Sequence, residues 1–277
     1  MRRHSPLLMI GIYAFVLLLM AISIVPFLWM LSSSVKQLTE LYTIPPHWIP
    51  EAPTFDNYRK VLFDSNIPRY FLNSVVISFG STVLSLALAV FAANGFSRFR
   101  FRGRAALQAA VLGAQLLPTA AIIVPLFIIL RSFGLINTYL GLILVYMIVT
   151  LPLSVWMLVG YFRSIPVELE EAAIIDGASR VEILFKITLP LALPGIVAVV
   201  VYSFVTTWNE FIFALSFALD KNVKTLPIGL SEFTTEFTTD WGAVMAASVV
   251  MTLPIAVLFL AMQRLFVGGL MAGATKG

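Results

Sequence analysis

Three consecutive residues, Trp208, Asn209 and Glu210, offer the chain's densest run of binding chemistry. Glu210 is the sole charge in the run Ile187–Leu219. A carboxylate inside an apolar span is costly enough that a functional role is the default expectation. An indole face beside an amide suits a neutral sugar, which presents C–H faces and hydroxyls together, and the negative charge disfavours anionic solutes. A second reading stands beside this one: Glu210 lies toward one end of the run, where it reaches water easily, and Trp208 then serves as an interfacial anchor. The amides Asn73, Asn94, Gln108 and Gln115 are expected to bond between helices. His4 and His47 are isolated and cysteine is absent, so no metal site is expected. No convergent His, Asp or Ser/Lys set is visible, so no catalytic residue is assigned. The phosphate-binding pattern G-x-x-x-x-G-K-[ST] is missing, and energy from a nucleotide would have to come from another polypeptide.

The second cluster is the polar stretch Ser164–Pro194. Pro166 suits a first helical turn, and Glu168, Glu170 and Glu171 complement the positive end of the helix dipole. Leu169, Ala172, Ala173 and Ile175 give this short helix an apolar side. Asp176-Gly177 ends it, because glycine takes the left-handed conformation freely. Ser179 and Glu182 have the spacing of a capping box, which predicts a second short helix to about Thr188, ended by Pro190. The result is a helix–Gly–helix elbow over about 163–189. Such an elbow either packs on its own subunit or forms a preformed, partly apolar knob for a cleft in another protein.

The surroundings of both clusters are set by composition. Of 277 residues, 60% are hydrophobic and 12% charged, with a mean hydropathy of +0.95. Soluble domains are about 45–50% apolar and about 25% charged. A core of this length cannot hide so much apolar surface, so lipid must be the main solvent. The fold class expected is all-α, a polytopic membrane protein. A span needs about 20 apolar residues, and six segments qualify, with helices at about 9–31, 71–95, 107–130, 139–161, 191–216 and 243–264. The first run is too long for a signal-peptide core, typically about 7–15 residues, and reads as an uncleaved span. All of 1–277 reads as one permease domain. Proline recurs in the spans (Pro26, Pro118, Pro125, Pro152, Pro194, Pro254), marking either ordinary membrane-helix usage or a helix broken along a transport path.

Orientation follows from Lys and Arg. With both ends inside, the inner segments hold Arg2, Arg3, Arg98, Arg100, Arg102, Arg104, Arg163, Arg180, Lys186, Arg264 and Lys276, 11 of 18. The FSRFRFRGR turn is the most biased, and short loops carry the orienting signal. The net charge of +4 is accounted for in this way, with no nucleic-acid partner expected. The outer segments include a proline-rich stretch before a short helix within 36–70, and an acidic, Ser/Thr-rich loop at about 218–240.

EAAIIDGAS followed by FKITLPLALPG resembles the coupling motif of binding-protein-dependent ABC import permeases, EAA, three residues, then Gly. The match runs over Glu171, Ala172, Ala173, Ile174, Ile175, Asp176 and Gly177, with Pro190 and Pro194 after it. NY at Asn57–Tyr58, NS at Asn73–Ser74, IVPLF at Ile123–Phe127, WNEFIFAL at Trp208–Leu215 and the ending GGLMAGATKG are similar to the carbohydrate-uptake branch, specifically the shorter, six-span permease of maltose-type systems. That resemblance implies a second permease subunit, two ATPase subunits binding ATP and Mg, an extracytoplasmic solute-binding protein, and residence in a bacterial or archaeal cytoplasmic membrane. It implies an ATPase-coupling role for Glu171, Ala172, Ala173, Asp176 and Gly177, a substrate-pathway role for Trp208, Asn209 and Glu210, docking of the binding protein on the loop between spans five and six, and no cofactor in this chain. A stand-alone secondary transporter or channel, with Glu210 carrying a proton, is the rival from another class; a membrane-embedded enzyme is the third.

Overall fold

The computed structural model describes residues 6–235 and 237–274. Arg2, Arg3 and His4, together with Lys276 and the last residues of the GGLMAGATKG ending, lie outside the described residues. The described residues are mainly helical: α1 (Pro6–Ser34), α2 (Asp56–Phe63), α3 (Ile67–Arg98), α4 (Arg104–Gly113), α5 (Thr119–Ser132), α6 (Tyr139–Ser164), α7 (Val167–Ile175), α8 (Arg180–Ile183), α9 (Leu193–Trp208), α10 (Ile212–Phe217), α11 (Leu226–Ser231) and α12 (Trp241–Ala274). Among the described residues four helices are long and apolar enough to cross a membrane. Two bent pairs, with angles of 101° and 79°, raise the number to six if each pair is one span.

Those bends change two of the expected spans. The third, expected continuous over 107–130, breaks at Leu117–Pro118 between α4 with its terminal 3-10 turn and α5. Proline at 118 has no N–H to continue the ladder. Pro26, Pro125, Pro152 and Pro254, in contrast, sit inside continuous helices. The fifth, expected over 191–216, bends by 79° at Ala192, between the helix that ends at Leu191 and α9; α9 then stops at Asn209, and α10 starts after Phe211.

The chain forms two compact units, Met1–Pro68 with Gly229–Leu253, and Arg69–Ile228 with Pro254–Gly277. In the first unit, α2 is the short helix expected after the proline-rich stretch. Asn57 donates to the carbonyls of Ser34 (3.0 Å) and Lys36 (2.8 Å). Lys60 pairs with Asp240, and Asp240 caps α12 by accepting from the Ala243 N–H at 3.0 Å. Lys36 is buried, donating to the His47 carbonyl and lying 4.3 Å from the centre of the Trp29 ring. His47 is not isolated as expected, for its Nδ1 is 3.2 Å from Glu51 and 3.9 Å from Glu40. Among the described residues no group of side chains suits a metal ion.

The second unit is organised by α3 and α6, which share two clusters. One joins Ala89, Ala93 and Phe96 to Leu158, Phe162, Leu184 and Val199; the other joins Ile77 to Leu142, Val145, Phe213 and Phe217. With lipid outside, packing and interhelical hydrogen bonds must hold such a unit together. Asn73 does what was expected of it, donating to the carbonyls of Asn222 and Lys224 and accepting from the Tyr139 hydroxyl at 2.7 Å. Gln115 donates to the Val149 carbonyl at 2.8 Å, in the turn that Pro152 disturbs. The α6–α9 contact is closer still. Ser154 and Ser203 hydroxyls are 3.2 Å apart, and a Cβ on Gly195 would fall 2.3 Å from the Tyr161 ring and 2.8 Å from its Cβ. Gly195→Ala therefore overpacks a site that cannot yield at the ring alone. The expected cost is about 1–3 kcal/mol, read as a lowered melting temperature in detergent; an unchanged melting temperature would show that the α6–α9 contact gives way freely.

Candidate functional site

The elbow is built by local signals. Pro166 stands at the N-cap of α7, one position before the expected first turn. At the other end Gly177 has φ +86. Its N–H donates to Ile174 O (3.0 Å), while the Ala178 N–H donates to Ala173 O (2.9 Å). These are the two bonds of a Schellman closure, which needs a left-handed residue at Gly177. The capping box is present: Ser179 Oγ accepts from the Glu182 N–H, and the Glu182 carboxylate accepts from the Ser179 N–H. The Ser179 N–H, and then Lys186, pull the Glu182 carboxyl down to about 2. The cap thus stays charged from neutral pH until the medium approaches that value.

Beyond the cap the structure departs from expectation. The second helix does not stop at Thr188. It passes through a π turn, Leu184–Thr188, and on through Pro190 to Leu191. The break falls at Ala192, so Pro190 lies in the first turn of a helical segment, where a missing N–H costs little.

The exposure of the elbow is inverted. Val167, Leu169, Ile174 and Ile175 are exposed, Ile175 at 87%, whereas Glu170 is buried at 4%. Glu170 pairs with Arg98 from the end of α3 at 2.7 Å. Glu171, Ala172, Asp176 and Gly177 are exposed and Ala173 is partly so. Asp176, Gly177, Glu182 and Lys186 line a concavity of about 260 Å³ in the inner angle. Apolar side chains facing outward while an acid faces inward leave an adhesive surface that its own subunit does not cover.

The Trp208–Asn209–Glu210 stretch sits at the break after α9. Trp208 is fully buried, stacked on Phe204 with centroids 5.6 Å apart and edge-on to Phe71. The indole face expected for a solute is therefore taken up inside the unit, and Trp208 anchors the break. Asn209 is exposed and donates to the Val205 carbonyl at 2.8 Å. Glu210 accepts from the N–H groups of Phe213 (2.9 Å) and Ala214 (3.0 Å), one on each carboxylate oxygen. It caps α10, a local role that the spacing Glu-x-x-Phe-Ala gives. Asn137, with φ 58, fastens the neighbouring turn by accepting from the Leu219 and Asp220 N–H groups. None of the three expected pathway residues lines an open groove of about 750 Å³ between α4 and α6. That groove is walled by Leu112, Val155, Trp156 and Val159, with Gln108 and Arg163 at one end.

Residues 85–271 match the family of binding-protein-dependent transport system inner membrane components. The sulfoquinovosyl glycerol transport system permease protein of Agrobacterium fabrum is 38% identical over 91% of this chain and 88% of its own length. The trehalose/maltose transport system permease protein of Thermococcus litoralis is 37% identical, with 94% of each chain covered. Among solved structures, a bacterial ABC transporter involved in importing the acidic polysaccharide alginate superposes with a TM-score of 0.80 at 22% identity, covering 95% of this chain and 99% of that one. The fold is that of an ABC importer permease. The chain belongs to the family of binding-protein-dependent transport system inner membrane components, multi-pass permeases of ABC importers.

Proposed function

We propose that this chain is one of two permeases in a sugar importer, crossing the membrane six times with both ends inside. Residues 1–277 act as one permease domain, with α4 and α5 together counted as one span and α9 as another. The elbow at about 163–189 is the ATPase-coupling element. Its exposed Ile174 and Ile175, beside Glu171, rest in a cleft of one of two ATPase subunits that bind ATP and Mg, and closure of that pair rocks the spans between inward- and outward-facing states. The observation that carries this reading is the inverted elbow, apolar outside and acid inside. An elbow that packed on its own subunit would bury those apolar residues instead.

Further support comes from α1, whose most apolar stretch has no buried residue. A helix apolar on every side and uncovered by its own chain must meet lipid or another membrane protein, as a second permease would provide. The carbohydrate assignment rests on relatives named for trehalose/maltose, diacetylchitobiose and sulfoquinovosyl glycerol transport. An extracytoplasmic binding protein docks on the loop before α12; a structural relative is described in complex with a pentasaccharide-bound periplasmic protein. The rival proton-coupled reading loses its main support, since both Glu210 oxygens are held by backbone N–H groups. Reconstitution tests the choice. Trehalose or maltose uptake should require the ATPase subunits and ATP; uptake by this chain alone under a proton gradient would reject the importer reading.

The pathway residues can be tested in the same vesicles. Asn209 presents the free end of an exposed amide, whereas Glu210 is a cap. Asn209→Ala should raise the half-saturating solute concentration without lowering the melting temperature. Glu210→Gln, which keeps one acceptor oxygen, should cost about 1 kcal/mol of stability, as loss of a helix cap does. Unchanged uptake and unchanged ATP hydrolysis in both would remove these residues from the pathway.

A further inference from the structure

One buried carboxylate oxygen ties together three elements that sequence places far apart. Arg98, at the end of α3, donates from Nε to Glu170 Oε1 at 2.7 Å. Thr188 donates from its hydroxyl to the same oxygen at 3.0 Å. Arg98 also donates from Nη2 to the carbonyl of Ile165, at the hinge between α6 and α7, at 3.3 Å. The Arg98 and Glu170 side chains are 8% and 5% exposed, and Thr188 is buried. The last of these residues closes the π turn, a wide turn that occurs mostly singly and often at functional positions.

A buried ion pair is a poor way to gain stability, since hydrophobic residues of similar volume serve as well or better. What it supplies is direction. The fork of Arg98 fixes the elbow carboxylate and the hinge carbonyl together, and Thr188 adds the helix that enters α9. Pushed at Ile175, an elbow held only by apolar contacts could slide, because such contacts are non-directional. Held at Glu170, it must carry α3 and the 180–191 helix with it.

We infer that Arg98, Glu170 and Thr188 form a latch that makes the elbow, the end of α3 and the entry to α9 move as one body, with Arg98 and Thr188 acting as positioning residues for coupling. The inference rests on the elbow's proposed role as the ATPase-coupling element. It assigns the latch to force transmission and leaves docking to the exposed face.

The chain has no cysteine, so two introduced ones are unique within it. Glu168→Cys on the elbow and Arg100→Cys beyond α3, both exposed, would carry spin labels. They would be studied in the complete importer with cysteine-free partners, without nucleotide and with ATP–vanadate. The expected result is one narrow interspin distance distribution whose mean does not change with nucleotide. Glu170→Gln should broaden it and make its mean shift with ATP–vanadate, while the ATPase still co-purifies. Arg98→Met should broaden it equally, and the double variant no further, as expected for two halves of one contact. Distributions that stay narrow in both single variants, or broadening that adds in the double, would overturn the latch. Should the charge variants fail to accumulate, Thr188→Val keeps the volume and decides, with labels at Arg100→Cys and at the exposed Val181→Cys on the 180–191 helix: it broadens that distribution if the latch is real, and an unchanged width overturns it. Failure of the ATPase to co-purify with the unaltered chain overturns the docking reading, and with it the inference, whatever the width.

Discussion

Gly177→Pro should abolish ATPase co-purification and ATP-driven uptake, while Gly177→Ala leaves both measurable. At φ +86 this residue is left-handed. Proline fixes φ near −65° and has no N–H, so it can neither adopt the turn nor make the 3.0 Å bond to Ile174. A penalty of about 3 kcal/mol or more corresponds to a loss of roughly a hundredfold in correctly bent elbows. Alanine meets no atom within 4 Å of its Cβ, so its cost is the backbone one alone, about 1–2 kcal/mol. The pair of variants separates the shape of the elbow from bulk at its corner. Equal behaviour of the two would show that the bend itself does not matter.

Ile175→Asp should disconnect the complex without harming the chain. At 87% exposure the side chain contributes little to its own subunit, and such surface changes usually fall within about 0.5 kcal/mol. Docked in a cleft, the same isoleucine would gain about 1.5–3 kcal/mol from burial, and an aspartate there would be desolvated as well. The expected outcome is an unchanged melting temperature with ATPase co-purification reduced at least roughly tenfold. Glu171→Lys, also on the exposed side, should act in the same direction. A drop in melting temperature instead would mean that the elbow packs on its own helices.

What could be read from the residues alone was whatever neighbours along the chain decide. The left-handed Gly177, the Ser179–Glu182 cap and the short helix after the proline-rich stretch each depend on residues within a few positions, and each is present. Spans were legible because composition alone requires lipid. Breaks within them were not. Pro118 starts a new helix and Pro152 does not, although proline removes the same donor in both. The Gln115 amide meets the Val149 carbonyl in the turn before Pro152, a contact between helices that neighbours along the chain do not announce.

The latch was hidden for the same reason. Glu170 looked like a dipole-facing acid on a solvated helix, and Arg98 like one of four basic residues in a turn. Only the packing of α3 against the elbow makes them partners. Trp208 misled in the opposite way. Its type and neighbours suit a sugar, but Phe71 and Phe204 enclose the ring. A clue was available at Glu210, where a carboxylate three and four residues before backbone donors is a cap before it is a ligand.

With the elbow acting as proposed, its exposed face sits in an ATPase subunit. Cross-linking from Ile175→Cys, in a chain otherwise free of cysteine, tests it most directly. In membranes holding the complete importer, a short thiol-reactive photoprobe at this position should join the permease to the ATPase. Products confined to this chain's own helices, with the ATPase present and active, would contradict it.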